Sequence, residues 1–343
     1  VNDPDAPAVI ATAYGLIGQY NYAQNAMGES ARYYDLALQA WRGLSNRPGQ
    51  ADVLIMLGYI EGRKGEWLNG VSYFTEAHNL INDQSEPLLM GRIASGLGYT
   101  FNDSGLPEIG LQQYQRAMEY FRQAQRPRSV NRMLMLSGYS YFLLKNYSAA
   151  LTHLNQALAS FESWPNPEEV QLAIAECREY LGGVYIATGR YDLALHHLKL
   201  NLSLYKNPSN SKDAALAEAL IGQIYQRQGD LGRARRSYLD ASRIFRQVND
   251  RVNDASVRFA LGRLELNNEN YDVAERYLKD SIENTENIRS DLRTRVFAAA
   301  FSASVHERYE AYIECLMRKH KAQPSKGLEV MAFEASELAR ARS

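Results

Sequence analysis

Histidine and cysteine, the side chains that most often carry out chemistry in proteins, are few in this chain and form no recognisable site. There are six histidines and two cysteines, and no pair of histidines has the HExxH spacing of a zinc site. His196 and His197 are adjacent, so on a helix they would point about 100° apart, which is poor geometry for one metal ion. We expect Cys177 and Cys315 to be buried thiols, because a nucleophile would need a nearby base. The sequence therefore predicts no metal and no cofactor.

Phosphate-binding loops and paired carboxylates are also missing from the sequence. No P-loop occurs, no GxGxxG motif follows a strand, and the acidic residues are scattered. We therefore expect no enzymatic activity in these 343 residues.

The composition narrows the class of protein further. Lys and Arg number 38 and Asp and Glu 39, which gives a net charge of -1. The protein therefore lacks the positive electrostatic field that is typical of nucleic-acid binders and of polybasic membrane-surface proteins. The hydrophobic fraction of 45% is sufficient for a folded chain. No apolar run reaches the roughly 18 residues of a transmembrane helix. The N-terminal VNDPDAPAV is not a signal peptide. The compartment stays open, with the cytoplasm slightly favoured over export by a signal since removed.

A glycine that usually follows Leu or Ile recurs through most of the chain at nearly constant spacing. The steps are forty positions, apart from one of forty-four, and the glycines are Gly18, Gly58, Gly98, Gly138, Gly182, Gly222 and Gly262. A small residue follows each of them twelve positions later, and a large apolar or aromatic residue follows sixteen positions later. Glycine inside a helix costs about 1 kcal/mol relative to alanine. We therefore expect each glycine, opposite a small residue, to let two helices approach closely.

The spacing of apolar residues within each repeat, at three, four and seven, predicts helices. Turn sequences such as Lys64-Gly65-Glu66 divide each repeat into two helices, and prolines such as Pro48 and Pro127 separate successive repeats. The segment Trp164-Pro165-Asn166-Pro167 accounts for the one longer step. The predicted fold class is all-α.

The recurring Leu-Gly-x-x-Tyr, Ala, Phe/Tyr, Ala pattern resembles the tetratricopeptide repeat (TPR), whose usual period is about 34 residues. The resemblance covers roughly residues 11–288 and implies a right-handed α-solenoid of about seven TPR hairpins. The longer period of this chain would lengthen the helices or linkers of each repeat. The predicted solenoid domain is 1–288, with repeats near 11–44, 51–84, 91–124, 131–164, 175–208, 215–248 and 255–288. C-terminal capping helices and the start of a linker follow in 289–343.

On the TPR template, the first helices of the hairpins line a concave groove, and the residue after each repeat glycine faces that groove. Tyrosine and arginine are common interface anchors. The candidate residues for binding a protein or peptide are Tyr59, Arg63, Arg92, Tyr99, Arg132, Tyr139, Gln223, Arg227 and Arg263. The alternative is that the tyrosines pack against neighbouring helices and the arginines are solvated. Gly15 and Gln19 do not fit the carboxylate-clamp pattern of chaperone-binding TPR proteins, so that partner is disfavoured.

The C-terminal segment carries a second resemblance. The pattern Y-x-x-Y-I-x-x-L-M from Tyr309 to Met317, and A-x-x-x-S-E-x-x-R-A-R-S from Ala332 to Ser343, resemble the junction of bacterial TPR–CHAT proteins. Leu338 stands where that family often has Arg. The resemblance implies a caspase-like CHAT protease domain beyond Ser343, which would hold the catalytic His and Cys. It assigns no catalytic residue to this chain.

Charge is unevenly distributed near the end of the repeats. Residues 227–263 hold nine Arg and four Asp, a net of +5, whereas residues 264–286 hold seven acidic and two basic residues, a net of -5. We expect these segments to form complementary faces of adjacent repeats, although an RNA-binding use of the arginines is an alternative. Three hypotheses therefore remain: the recognition arm of a CHAT-type protease, a free-standing TPR scaffold or peptide receptor, and an RNA-associated adaptor.

Overall fold

The computed structural model describes residues 6–81, 85–204, 212–291, 295–324 and 327–342, and every regular element in these ranges is helical. The α-helices are α1 (Ala6–Ala23), α2 (Met27–Gly43), α3 (Arg47–Lys64), α4 (Trp67–Leu80), α5 (Pro87–Asp103), α6 (Pro107–Gln123), α7 (Pro127–Leu143), α8 (Tyr147–Glu162), α9 (Gln171–Ala187), α10 (Tyr191–Ser203), α11 (Lys212–Arg227), α12 (Leu231–Gln247), α13 (Arg251–Asn267), α14 (Tyr271–Asp291), α15 (Arg295–Ala322) and α16 (Leu328–Arg342). A short 3-10 turn, Pro167–Glu169, begins at the last residue of the Trp164–Pro167 segment that accounts for the longer step. The all-α prediction is confirmed.

The helices belong to two compact units, Val1–Cys177 and Arg178–Ser343, whose boundary falls within α9. In the first unit, odd and even helices pair as hairpins, and α2, α4 and α6 also contact the helix that follows. In the second unit, α11/α12 and α13/α14 pair in the same way, and α15/α16 form a further hairpin packed on α14. Parts of three predicted ranges lie outside the described residues: 82–84 of the second repeat, 205–208 of the fifth, and 292–294, 325–326 and Ser343 of the C-terminal segment.

Each repeat glycine lies inside the first helix of its hairpin, against the large side chain at the sixteenth position after it. A Cβ atom added to Gly58 would lie 2.8 Å from the Phe74 ring, and one added to Gly98 would lie 2.6 Å from Tyr114. The small residue at the twelfth position packs on the glycine's carbonyl, as Ser30 does by donating a hydrogen bond to the Gly18 oxygen at 2.8 Å. The glycines therefore make room chiefly for the large ring or leucine, in addition to the small residue predicted from the sequence.

The turn inside each described repeat contains one residue in the left-handed conformation, also at the repeat spacing. Glycine occupies this position in four repeats, including Gly65 at φ 76° and Gly229 at φ 80°. The three others are Asn25, Lys145 and Glu269, with φ of 61°, 58° and 61°. In each turn the N–H of this residue and the N–H of the next residue donate to carbonyl oxygens of the last helical turn, as Gly65 N does to Gly62 O at 2.9 Å. This motif ends the first helix and reverses the chain.

Two further observations concern the described part of the molecule. None of its helices has both the length and the apolar character required to cross a membrane. In the same ranges, no three or more His, Cys, Asp or Glu side chains are grouped so that they could hold a metal ion. Cys177 and Cys315 are buried thiols, and burial raises the pKa of Cys315 to about 12.

Candidate functional site

Two sets of equivalent positions lie on the accessible side of the first helices in the first unit. We name them by their distance from the repeat glycine: the -6 column, six positions before it, and the +1 column, one position after it. Every member of the two columns is exposed or half-buried: Thr12, Asp52, Arg92, Arg132 and Glu176, and Gln19, Tyr59, Tyr99 and Tyr139. These columns include five of the nine residues predicted to line a groove.

The two predicted arginines of the -6 column are paired with acidic residues of the same column. Arg92 of α5 forms an ion pair with Asp52 of α3, and its other terminal nitrogen lies 3.6 Å from Sδ of Met56. Arg132 of α7 forms an ion pair with Glu176 of α9 at 3.5 Å. Since all four side chains are at least partly accessible, these pairs contribute little to stability. They leave the column with no net charge, and a carboxylate ligand must compete with Asp52 or Glu176.

Tyr59 joins two repeats rather than presenting a free hydroxyl group. Its Oη lies 2.8 Å from Oγ of Ser95 and donates to the Arg92 carbonyl oxygen at 3.3 Å. The ring packs edge-on against Phe74, with centroids 5.4 Å apart. Burial is the main cause that raises the pKa of this hydroxyl. Tyr59 therefore behaves as the packing alternative expected from the sequence.

Tyr99 is exposed, whereas Tyr139, like Tyr59, is half-buried. Tyr99 is 38% exposed. Its pKa is raised to about 12, first by burial and then by the carboxylate of Asp103 one turn further along α5. The ring of Tyr139 is half-buried and stacks on Phe142 at 6.3 Å. Both tyrosines present part of an aromatic ring on the same side of the unit as the ion pairs.

Arg63, also predicted to line the groove, is held at the end of α3 by the preceding repeat. Its guanidinium donates to Oδ1 of Asn25 at 3.1 Å and lies 5.1 Å from the centre of the Tyr22 ring. The side chain is exposed, so this arrangement positions the charge without removing it from solvent.

A pocket of about 510 Å³ lies where the columns of the first three repeats meet. It is lined by Ala11, Thr12, Gly15, Leu16, Gln19, Tyr34, Trp41, Gly49, Asp52, Val53, Met56 and Arg92. One wall is apolar and aromatic, and the other carries the Asp52–Arg92 ion pair. Among the described residues, no atom outside the local helix lies within 4 Å of where a Cβ of Gly15 would be, so this glycine opens the pocket. By contrast, the space beside Gly49 is filled by the Trp41 ring, which would lie 2.7 Å from an added Cβ atom. Such a pocket suits a short apolar segment beside a charged or hydrogen-bonding group.

The three predicted groove residues of the second unit differ in exposure and in contacts. Gln223 is half-buried and Arg227 is exposed. Arg263 of α13 donates to Oε2 of Glu314 in α15 at 3.0 Å. The opposite charges of this unit also meet, since Arg235 lies 2.8 Å from Glu265 and Arg258 lies 2.5 Å from Asp280. These contacts join the basic segment to the acidic one. The Arg235–Glu265 pair joins adjacent repeats, as expected from the charge pattern, whereas Arg258 and Asp280 belong to the same hairpin.

The sequence analysis missed several residues of the pocket, among them Asp52, Trp41 and Gly49. A signal for Asp52 was available, because it lies one repeat period before Arg92, at the same position of the preceding repeat. Glu176 likewise follows Arg132 by the one longer step of the repeat. Trp41 and Gly49 had no such signal, because their contact joins the end of one hairpin to the start of the next.

Comparisons with known proteins agree with the repeat architecture. Two tetratricopeptide repeat family models match residues 213–287 and 103–167. The transcriptional activator NprA of Geobacillus stearothermophilus is 24% identical over 151 residues, which is 44% of this chain. The chain spans 34% of the length of that relative.

Solved structures resemble this chain in fold. The Rap protein complexed with Competence and Sporulation Factor has a TM-score of 0.62 and 14% identity, and 99% of each chain is covered. NprR in complex with its cognate peptide NprX has a TM-score of 0.60 and 12% identity, also with 99% of each chain covered. The apo form of the quorum sensor NprR from B. thuringiensis has a TM-score of 0.62 and 12% identity, covering 98% of this chain and 89% of that one.

Proposed function

We propose that this tetratricopeptide repeat protein is a binding module that takes a peptide or an extended protein segment on the accessible side of α1, α3 and α5. The observation that carries the proposal is the pocket of about 510 Å³ that Gly15 opens beside the Asp52–Arg92 pair. Two proteins of similar fold have been solved with peptide ligands, which supports the same class of ligand here. An apolar side chain of the ligand would occupy the pocket, and Tyr99 would contact the chain beyond it.

The test uses random linear peptides selected on the immobilised protein and then measured by fluorescence anisotropy. Gly15→Phe would add a ring at the pocket lining, at a position where an added Cβ atom meets no described atom within 4 Å. Gly43→Phe is the matched control, because Gly43 also has open space beside it and does not line the pocket. We expect the Gly15→Phe variant to lose at least about tenfold in affinity, equivalent to about 1.4 kcal/mol, and the Gly43→Phe variant to bind as the wild type does. Failure to enrich any peptide, or equal binding by both variants, would contradict the proposal.

A finer proposal is that the module is the recognition arm of a CHAT-type protease. It is supported only by the sequence resemblance between Tyr309 and Ser343. In the second unit, Tyr309, Leu316, Ala332 and Ala339 are buried in one cluster shared by α15 and α16. Much of the motif is therefore explained by the packing of this hairpin, whatever the hairpin is joined to. Binding of the ligand in the first unit would be the signal that reaches the protease.

The finer proposal is tested on the natural gene product in full, with a peptide from the selection above. We expect thiol-dependent cleavage of a protein substrate that increases when the peptide is added and does not increase in the Gly15→Phe variant. Peptide binding without any thiol-dependent cleavage would contradict the protease hypothesis and would support the hypothesis of a peptide receptor. We propose no catalytic role for the residues described here.

A further inference from the structure

The helix α12 of the second unit is strongly basic. Its sequence holds five arginines and one acidic residue, with no lysine. Two of the arginines form ion pairs inside the unit: Arg233 with Asp230 at 2.5 Å, and Arg235 with the buried Glu265 of α13 at 2.8 Å. The three other arginines lie further along the helix and are not explained by the contact between adjacent repeats.

These three arginines form a line with one exposed leucine. The residues Arg236, Leu239, Arg243 and Arg246 follow each other at steps of three, four and three positions, which places them on one face of the helix. All four side chains are exposed, and we call this line, about 15 Å long, the arginine stripe. Because α12 packs on α11 and on α13, the stripe is the solvent side of a helix that has a neighbour on each side.

The positive charge of the arginine stripe is largely uncompensated. Among the described residues, Arg236 and Arg246 form no ion pair, and Arg243 pairs with Asp240 of the same helix at 3.5 Å. Both partners of that pair are about half exposed, so it contributes little to stability. The like charges of Arg243 and Arg246, three positions apart, slightly destabilise a helix. The stability of α12 therefore does not account for the stripe, whereas a negatively charged ligand would gain from it.

The arginine stripe ends at a pocket of about 200 Å³ beside the turn between α12 and α13. Arg246 and Arg251 line this pocket, together with Asp250 and Asp254. Each aspartate already has a basic partner, a lysine of α11 for Asp250 at 2.8 Å and an arginine of α13 for Asp254 at 2.9 Å. Arg251 is exposed and, like Arg246, has no ion pair in the part of the chain that the structure describes. The charge that remains available at the pocket is positive, which suits a carboxylate.

We propose that the arginine stripe and the pocket at its end bind an acidic amphipathic helix of a protein partner. Guanidinium groups hold carboxylates by paired hydrogen bonds, and glutamates on one face of a helix recur at the same steps as the arginines. An apolar side chain between those glutamates would cover Leu239. A phosphate backbone offers no apolar group for Leu239, and the net charge of -1 does not attract nucleic acid. All residues of this surface belong to the second unit, so the proposal does not depend on the peptide pocket of the first.

The test is the binding of a defined probe, measured by fluorescence anisotropy. The probe is a labelled, alanine-based helical peptide in which glutamates flank one leucine at steps of three and four, all on one face. The control probe has the same composition, in an order that spreads the glutamates around the helix. We expect the first probe to bind at least about tenfold more tightly, because its carboxylates reach several arginines at once.

Variants of the protein locate the contact. Arg236→Glu/Arg246→Glu reverses the charge at two exposed positions, and we expect it to bind the probe at least about tenfold more weakly. The matched control is Arg116→Glu/Arg122→Glu on α6, which changes the net charge equally at two exposed arginines and should bind as the wild type does. Arg122 and Arg246 both lie twenty-four positions after their repeat glycine. Leu239→Ala should weaken binding about threefold through the lost apolar contact.

Several results would overturn the proposal. They are no measurable binding of the acidic helix, equal binding of the two probes, and equal losses in the two double variants. Unchanged binding by Leu239→Ala would remove the apolar contact on which the choice of a protein partner rests. A single-stranded RNA of the same charge that binds more tightly than the peptide, and is lost in Arg236→Glu/Arg246→Glu, would assign the arginine stripe to nucleic acid instead.

Discussion

At the scale of single residues, the repeats differ in how well the turn residue suits its backbone. Gly65, Gly105, Gly189 and Gly229 adopt positive φ without steric cost, because they have no Cβ atom. Lys145 has φ of 58° in the equivalent turn and is exposed. In this conformation a residue with a Cβ atom is destabilised by about 1–2 kcal/mol. The fourth hairpin therefore contains a local strain that the second, third, fifth and sixth avoid.

We expect the substitution Lys145→Gly to stabilise the protein. Removing the Cβ atom relieves the strain at the turn, and this gain in free energy exceeds the loss caused by the greater conformational entropy of glycine in the unfolded chain. The free energy of unfolding should therefore rise by about 0.5–1 kcal/mol. The measurement is urea unfolding followed by circular dichroism. Lys145→Ala serves as the control, because alanine keeps the Cβ atom and should give little change. If Lys145→Ala stabilises as much as Lys145→Gly, the lysine side chain rather than the backbone is the cause.

At the scale of helices, the glycine inside each first helix and the large ring or leucine of the second helix form one packing unit. Gly98 is a tight example, because an added Cβ would meet Tyr114 at 2.6 Å and the Gly110 carbonyl oxygen at 3.1 Å. Gly15 is also interior to its helix, yet an added Cβ meets nothing within 4 Å in the described part of the chain. In equivalent helices, glycine therefore makes room for a packed ring at Gly98 and borders an open pocket at Gly15.

The two glycines should respond in opposite ways to alanine. We expect Gly98→Ala to destabilise by about 1–2 kcal/mol, because overpacking outweighs the better helix propensity of alanine. Gly15→Ala should stabilise by up to about 1 kcal/mol through propensity alone. Thermal unfolding of both variants beside the wild type provides the comparison. A loss of stability in Gly15→Ala would mean that the space beside this glycine is smaller than the structure shows.

Much of the division into helical hairpins was predictable from the sequence, since the regularly spaced glycines and the prolines between repeats mark the hairpins. The use of Gly98 was predicted only in part. The sequence indicated a close approach of helices, whereas the ring that requires it, Tyr114, lies on a different helix. The hairpin α15/α16 has no repeat glycine, so its pairing was not visible in the pattern. The pocket was not predictable either, because Gly15 and Trp41 of the first hairpin meet Arg92 of the third only through stacking of separate hairpins.

At the scale of the whole molecule, each unit has its own core. Phe74 belongs to the core of the first unit and Leu278 to that of the second, and both are fully buried. In stacked repeats, contacts are made mainly between neighbours, so stability is approximately a sum of local terms. The three tryptophans, Trp41, Trp67 and Trp164, all lie in the first unit. Tryptophan fluorescence therefore reports on the first unit, whereas circular dichroism reports on both.

We expect Leu278→Ala to lower the urea midpoint seen by circular dichroism, with a loss of about 2–5 kcal/mol, and to leave the fluorescence midpoint almost unchanged. Phe74→Ala should lower the fluorescence midpoint, with a loss of about 3–5 kcal/mol. If both probes move together in both variants, the chain unfolds as one cooperative body and the local description of its stability is wrong.

The neutral pairing of the -6 column has a consequence for the environment in which this surface can work. Arg92 and Arg132 have carboxylate partners of their own, so a ligand that binds beside them displaces few bound counter-ions. The affinity for such a ligand should then vary little between dilute and concentrated salt, in contrast to proteins that attract their targets through an excess of one charge. Discrimination between ligands would rest on the shape of the cavity at Gly15, and a change in the ionic composition of the surroundings would not switch the module on or off.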